Sequence, residues 1–196
     1  MAYPLSRPHL TFRKFYNVLI LITMFFSGGL IPTFLTVRNL GLYDTVWAIV
    51  LPGAISTWNL IIMRTFFMNL PVELEESAQL DGANDLTIFS RIILPLSKAS
   101  IATITLFYAV SHWNNWFNAM IYFKSSKSYP LQTILRSIVI NNEMSEEMQV
   151  DEVIDSVSAE GIKYSTLVVS MVPMLVVYPF IQKYFVKGVM IGSLKG

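Results

Sequence analysis

No cysteine occurs in these 196 residues, which excludes disulfides, thiolate catalysis and cysteine metal sites. Charge is scarce too. Only 14% of the residues are Asp, Glu, Lys or Arg, against about 25% in a soluble globular domain. The net charge of +1 comes from scattered basic residues, so there is no clustered cationic face to hold nucleic acid. No Gly-rich phosphate loop of the Walker type is present, so the chain does not hydrolyse ATP through one. What the chain has in quantity is apolar surface, with 54% hydrophobic and 13% aromatic residues. This is the composition of an all-α integral membrane protein.

The few charges mark out the spans. They leave uncharged runs at 15–37, 45–63, 99–123 and 164–182, each near the ~20 residues a helix needs to cross ~30 Å of hydrocarbon. Four transmembrane helices are predicted, in one domain covering 1–196. Gly28, Gly29, Pro32, Pro52, Gly53, Pro173 and Pro179 fall inside these runs and predict kinks, which are tolerated where neighbouring helices or a water-filled path satisfy the freed backbone groups. None of the four runs contains Asp or Glu, so an intramembrane enzyme would lack acid–base or metal-binding groups. The prediction is a non-enzyme without cofactor or metal, since His112 has no second ligand at a useful spacing.

Basic residues near the span ends set an orientation. With 64–98 cytoplasmic, Arg7, Arg13, Lys14, Arg64, Arg91, Lys98, Lys183, Lys187 and Lys195 lie inside, against Arg38, Lys124, Lys127, Arg136 and Lys163 outside. Both termini are then cytoplasmic, and 124–162 is an external loop. Its acidic part, 141–160, reads as a solvated face or as a contact for a soluble partner.

Between the second and third runs the chain turns polar, in "EESAQLDGANDLTIFSRIILP" from Glu75 to Pro95. Pro71 suits the first turn of a helix, and Glu73, Glu75 and Glu76 suit its positive end. Gly82 can supply the left-handed residue that ends that helix. Asn84 or Asp85 can cap a second one, whose Leu86, Phe89 and Ile93 recur at helical spacing before Pro95 bends the chain. The prediction is a helix, a turn and a helix over about 70–95, at the cytoplasmic surface.

This stretch resembles the EAA loop of the permease subunits of ABC importers. The pattern falls on Glu76, Ser77, Ala78, Asp81, Gly82, Ala83, Phe89, Ile92, Leu94 and Pro95, with Ser77 standing where the pattern has alanine. "FSGGLIPTFL", "SHWNNWFNAMIYF", "YPLQTILR" and "QKYFVKGVMIGSLKG" resemble the carbohydrate-type permeases, in particular the complex-oligosaccharide branch. The resemblance implies a multi-pass subunit of the bacterial cell membrane that helps form a path for a sugar. It implies a coupling helix, made by the loop and docked on separate cytoplasmic ATP-binding subunits. A second permease subunit and an extracellular solute-binding lipoprotein are implied as partners. The family usually has six spans, and "MAYPLSRPHL" resembles the end of the second span, so the chain is expected to correspond to the last four. A second reading, of a truncated or regulatory subunit that binds the ATPase without a complete path, stays open.

For the cargo, His112, Trp113, Asn114, Asn115, Trp116 and Asn118 in the third run, with Asn59 in the second, offer amides and aromatic faces that suit sugar hydroxyls and C–H faces. The same residues also suit an interfacial aromatic belt and hydrogen bonds between helices.

Overall fold

A computed structural model describes residues 1–148 and 161–179, with side chains for 1–140 and 161–179. The described residues are helical, with turns and extended connections between helices and no strand. They form two compact units. One comprises Met1–Gly29 and Ala54–Phe107, the other Leu30–Gly53 with the described part of Tyr108–Phe180.

In the first unit, α1 (Ala2–Ser6) packs on α5 (Thr57–Met68), as does α2 (Arg13–Phe25). Helix α6 (Glu73–Leu80) and helix α7 (Asp85–Leu96) follow. Ala2, Phe67, Ala78, Ile88 and Ile93 are the buried core, with Tyr3, Leu60, Met63 and Phe89 packed against it. The second unit holds α3 (Leu30–Asn39), the short α4 (Trp47–Val50), α9 (Trp116–Tyr122) and α10 (Leu131–Met148). Its core is Val37, Ala48 and Tyr122, with Phe34 stacked on Tyr122 at 5.9 Å and edge-on to Tyr43 at 5.8 Å. The Asp44 amide donates to the Tyr122 carbonyl, and the Asp44 carboxylate accepts from the Lys124 amide, which stitches two loops together.

Helix α11 (Gly161–Pro179) has 19 residues and a mean hydropathy of 1.5. Among the described residues it is the helix long and apolar enough to cross a membrane alone, and the number rises to three if each bent helix pair is one span. Phe25 and Phe26 on the first run, and Leu175 and Tyr178 on α11, are exposed. Apolar surface on that scale is stable when lipid covers it.

The kinks expected in the first two runs are full breaks in the helices, and the third run is broken as well. The run 15–37 is split at Phe26–Gly29, where Gly29 takes φ +86° and donates to the Ser27 hydroxyl. Pro32 then lies in the first turn of α3, where its missing N–H costs nothing. The run 45–63 is interrupted at 51–56, around Pro52 and Gly53. It yields only four residues of α4 and the first part of α5, which Ser56 caps by accepting from the Asn59 amide and which continues to Met68. The run 99–123 contains neither Pro nor Gly, yet α8 (Lys98–Trp113) ends there and α9 begins at Trp116. Here the Asn114 side chain donates to the Val110 carbonyl at 2.9 Å, a local bond that competes with helix continuation. Helix α11 runs through Pro173 without interruption. The last residues of the expected fourth span, 180–182, lie outside the described residues, as do most of the acidic segment, Lys183, Lys187, Lys195 and the terminal "QKYFVKGVMIGSLKG".

Candidate functional site

Helix α6 opens at Glu73, two residues after Pro71, so the proline precedes the first turn rather than occupying it. Glu73, Glu75 and Glu76 fill that turn, where the helix dipole favours carboxylates. The helix ends in two paired hydrogen bonds: the Gly82 amide donates to the Gln79 carbonyl at 3.0 Å and the Ala83 amide to the Ala78 carbonyl at 2.9 Å. This closure requires a left-handed residue, and Gly82 has φ +78°. Asn84 then caps α7 by accepting from the Thr87 amide at 2.8 Å. Of the two caps the sequence allows, Asn84 is the one used.

Helix α7 departs from the expected spacing. Over Phe89–Ile93 its turns widen to π-helix, and Pro95 follows, lacking the N–H that would serve the carbonyl four residues back. The wide turn places Ile88 and Ile93, five residues apart, in the core. Leu86, expected on the same face as Phe89 and Ile93, is 75% exposed. The chain then bends by 78° between α7 and α8, at Ser97. Ser97 is fully buried, and its hydroxyl donates to the Ile93 carbonyl at 2.6 Å.

The loop residues therefore divide by face. Ala78 is buried, while Ala83 and Phe89 pack on the same core and Leu94 is half-buried. Glu76, Ser77, Asp81, Gly82 and Pro95 are exposed, Ser77 also donating to the Glu73 carbonyl at 2.7 Å. Leu80 is 90% exposed, so with Leu86 two large apolar side chains flank the Gly82 turn. Leu80 did not stand out in the sequence, and Leu86 was expected on the buried face. A leucine at a helix end next to a left-handed glycine was the available signal.

The pairing of two residues named in the sequence escaped sequence reasoning. Arg7 and Glu75 form an ion pair with both side chains 6% exposed. Arg7 also donates through Nη1 to the Phe67 carbonyl at 3.1 Å, and its guanidinium lies 4.9 Å from the Tyr3 ring centre. Tyr3 in turn meets Phe67 edge-on at 5.7 Å and Phe89 at 5.1 Å. Truncating either side chain of such a buried pair, so that the other charge is left with neither counter-ion nor hydrogen-bond partner, would cost about 3–5 kcal/mol.

The residues expected to meet cargo belong to both units. Asn59 is buried in α5, in the first unit. In the second, His112 is exposed and stacks on Tyr108 at 6.5 Å. Asn114 is committed to the end of α8, and Trp113, Asn115, Trp116 and Asn118 are half-buried. The Trp116 ring lies 3.8 Å from the Arg136 guanidinium, and its carbonyl accepts from the Thr133 hydroxyl at 3.3 Å. A cavity of about 830 Å³ in the first unit is lined by Tyr3, Arg7, His9, Phe67 and Phe89 among others, and by none of these expected residues.

Residues 3–191 match the family model described as the binding-protein-dependent transport system inner membrane component. The chain belongs to that family. It is 50% identical over 197 residues to the polygalacturonan/rhamnogalacturonan transport system permease protein YtcP of Bacillus subtilis (strain 168), covering 100% of this chain and 69% of that protein. Protein LplC of the same strain is 49% identical over 197 residues, again covering all of this chain and 66% of that protein. Among solved structures, a bacterial ABC transporter involved in the import of the acidic polysaccharide alginate matches with a TM-score of 0.80 and 36% identity, over 94% of this chain and 66% of that one. The chain thus spans about two thirds of the length of these relatives. As a member of a permease family it is a membrane transport component and not an enzyme.

Proposed function

We propose that this chain is a membrane-spanning subunit of an ATP-driven sugar importer, and that the Glu73–Leu96 helix–turn–helix docks on a separate ATPase subunit in the cytoplasm. The observation that carries this reading is the tip around Gly82. Its left-handed turn brings backbone close to the surface, with Leu80 and Leu86 beside it as apolar knobs and Glu76 and Asp81 as exposed carboxylates. Apolar anchors ringed by charge are what a partner groove holds. Behind the tip, Ala78, Ala83 and Phe89 tie it to the core on α5.

The cargo is an oligosaccharide of polyuronate type, a reading supported by the polygalacturonan/rhamnogalacturonan name of one relative and the alginate title of the solved neighbour. Trp113, Asn115, Trp116 and Asn118 are the half-buried groups suited to contact it. A second permease subunit and an extracellular solute-binding lipoprotein complete the assembly. The test is to express the subunit with its neighbouring importer genes and follow two things: ATPase retained on the purified subunit and uptake of galacturonate oligomers. Absence of the ATPase from a subunit purified at parental membrane level would refute the docking role.

A further inference from the structure

We propose that Arg7 and Glu75 are a positioning pair that holds the outward turn rigidly to the helices behind it, so that displacement of Gly82 is passed to α1 and α5. The inference rests on the reading that this turn receives an ATPase subunit. Helix α6 has eight residues, too short to persist in water without tertiary support. Besides Glu75, its buried residue is Ala78, whose methyl group gives little area and no direction. Glu75 gives both.

Its partner Arg7 closes the end of α1 and reaches two other elements at once: the Glu75 carboxylate on α6 and the Phe67 carbonyl in the last turn of α5. A guanidinium offers its donors in a fixed planar fork, so the two bonds set an angle between α5 and α6 that apolar contacts, which can slide, would not set. The pair lies 68 residues apart in sequence, and both groups are shielded from the water that would otherwise compete for them. Glu75 and Glu76 are consecutive, about 100° apart around the helix. With Glu75 held inward, Glu76 faces out. Arg7 touches neither cargo nor nucleotide in this role and acts through Glu75.

The experiment uses the full chain in the complete importer, reconstituted in vesicles, with tagged galacturonate oligomers as cargo and phosphate release as the measure of ATP hydrolysis. Glu75→Gln removes the charge while keeping the shape, and Arg7→Lys keeps the cation while losing the fork. Both variants should retain the ATPase on purification and hydrolyse ATP, yet the cargo moved per ATP should fall about tenfold, within the usual range of coupling between sites. The exchanged chain, Arg7→Glu with Glu75→Arg, should recover part of that ratio. A merely structural role would lower subunit amount, hydrolysis and uptake together. A parental ratio in Glu75→Gln, or proportional loss of both activities in Arg7→Lys, overturns the inference. Spin labels at Thr65 and Ser77 read the same restraint without cargo or ATPase: a narrow distance distribution in the parental chain and a broader one in Glu75→Gln are expected. Equal widths overturn the inference. Failure of the parental chain to retain an ATPase would instead overturn the docking reading.

Discussion

Glu75 and Glu76 are neighbours in one helix yet differ in burial: Glu75 is 5% exposed and ion-paired with Arg7, while Glu76 lies on the outer surface. Two chemically identical side chains are thereby placed differently, one in the core and one on the surface. The difference predicts how each responds to substitution.

Reversing the outer charge with Glu76→Lys should leave the fold in place, at a helix-dipole cost of about 0.3–1 kcal/mol. Association with the ATPase should weaken from several-fold to about a hundredfold, as for a charge mismatch at an interface. Co-purification at equal membrane level is the measurement, and Glu76→Gln should lie between the two.

At Gly82 an added Cβ would meet nothing within 4 Å, yet φ is +78°. Gly82→Val should therefore cost about 1–2 kcal/mol from backbone strain alone, and Gly82→Asn, which tolerates this conformation, less. Both should insert normally. Substrate-stimulated ATPase activity should fall in the order Gly, Asn, Val, and an equal response for all three would rule out a left-handed turn.

Asn84→Ala deletes the cap on the Thr87 amide and should lower stability by about 1 kcal/mol, whereas Asn84→Asp should be near neutral. Thermal unfolding of the purified subunit in detergent separates the two.

For the cargo path, Asn114 differs from its neighbours because its amide is spent on the Val110 carbonyl. Alanine at Asn115 or Asn118 should reduce uptake of galacturonate oligomers with ATPase retention unchanged, while Asn114→Ala should act on subunit amount. Parental uptake in the Asn115 and Asn118 variants would leave those side chains to packing.

Topology is tested with single cysteines, convenient in a chain that has none. Ser145→Cys should react with a membrane-impermeant thiol reagent in intact cells. Ser90→Cys should react only in inverted vesicles, and labelling from outside would reverse the orientation drawn from the basic residues.

The helix, turn and helix of 73–96 were legible in the sequence because their determinants are local. Acidic residues in a first turn, a glycine after the last and an asparagine before the next each act within about one helical turn. Membrane character was legible for a similar reason, since it depends on composition summed over runs long enough to span lipid. Helix continuity was legible only at the glycines and prolines of the first two runs, where the breaks at 26–29 and 51–56 fall. Hydropathy measures which solvent a residue prefers and is nearly blind to whether the backbone keeps its hydrogen bonds, so the interruption at Asn114 and Asn115 passed unseen while Pro173 suggested a kink in a helix that continues through it. The π turn was hidden as well, because it shifts the buried register from Leu86 to Ile88 without changing the apolar content. The pairing of Arg7 with Glu75 could be decided only in three dimensions. Nothing local marks which of several carboxylates will meet an arginine 68 residues away; that follows from the packing of α1 against α5, which brings Arg7 to the one face of α6 that excludes water.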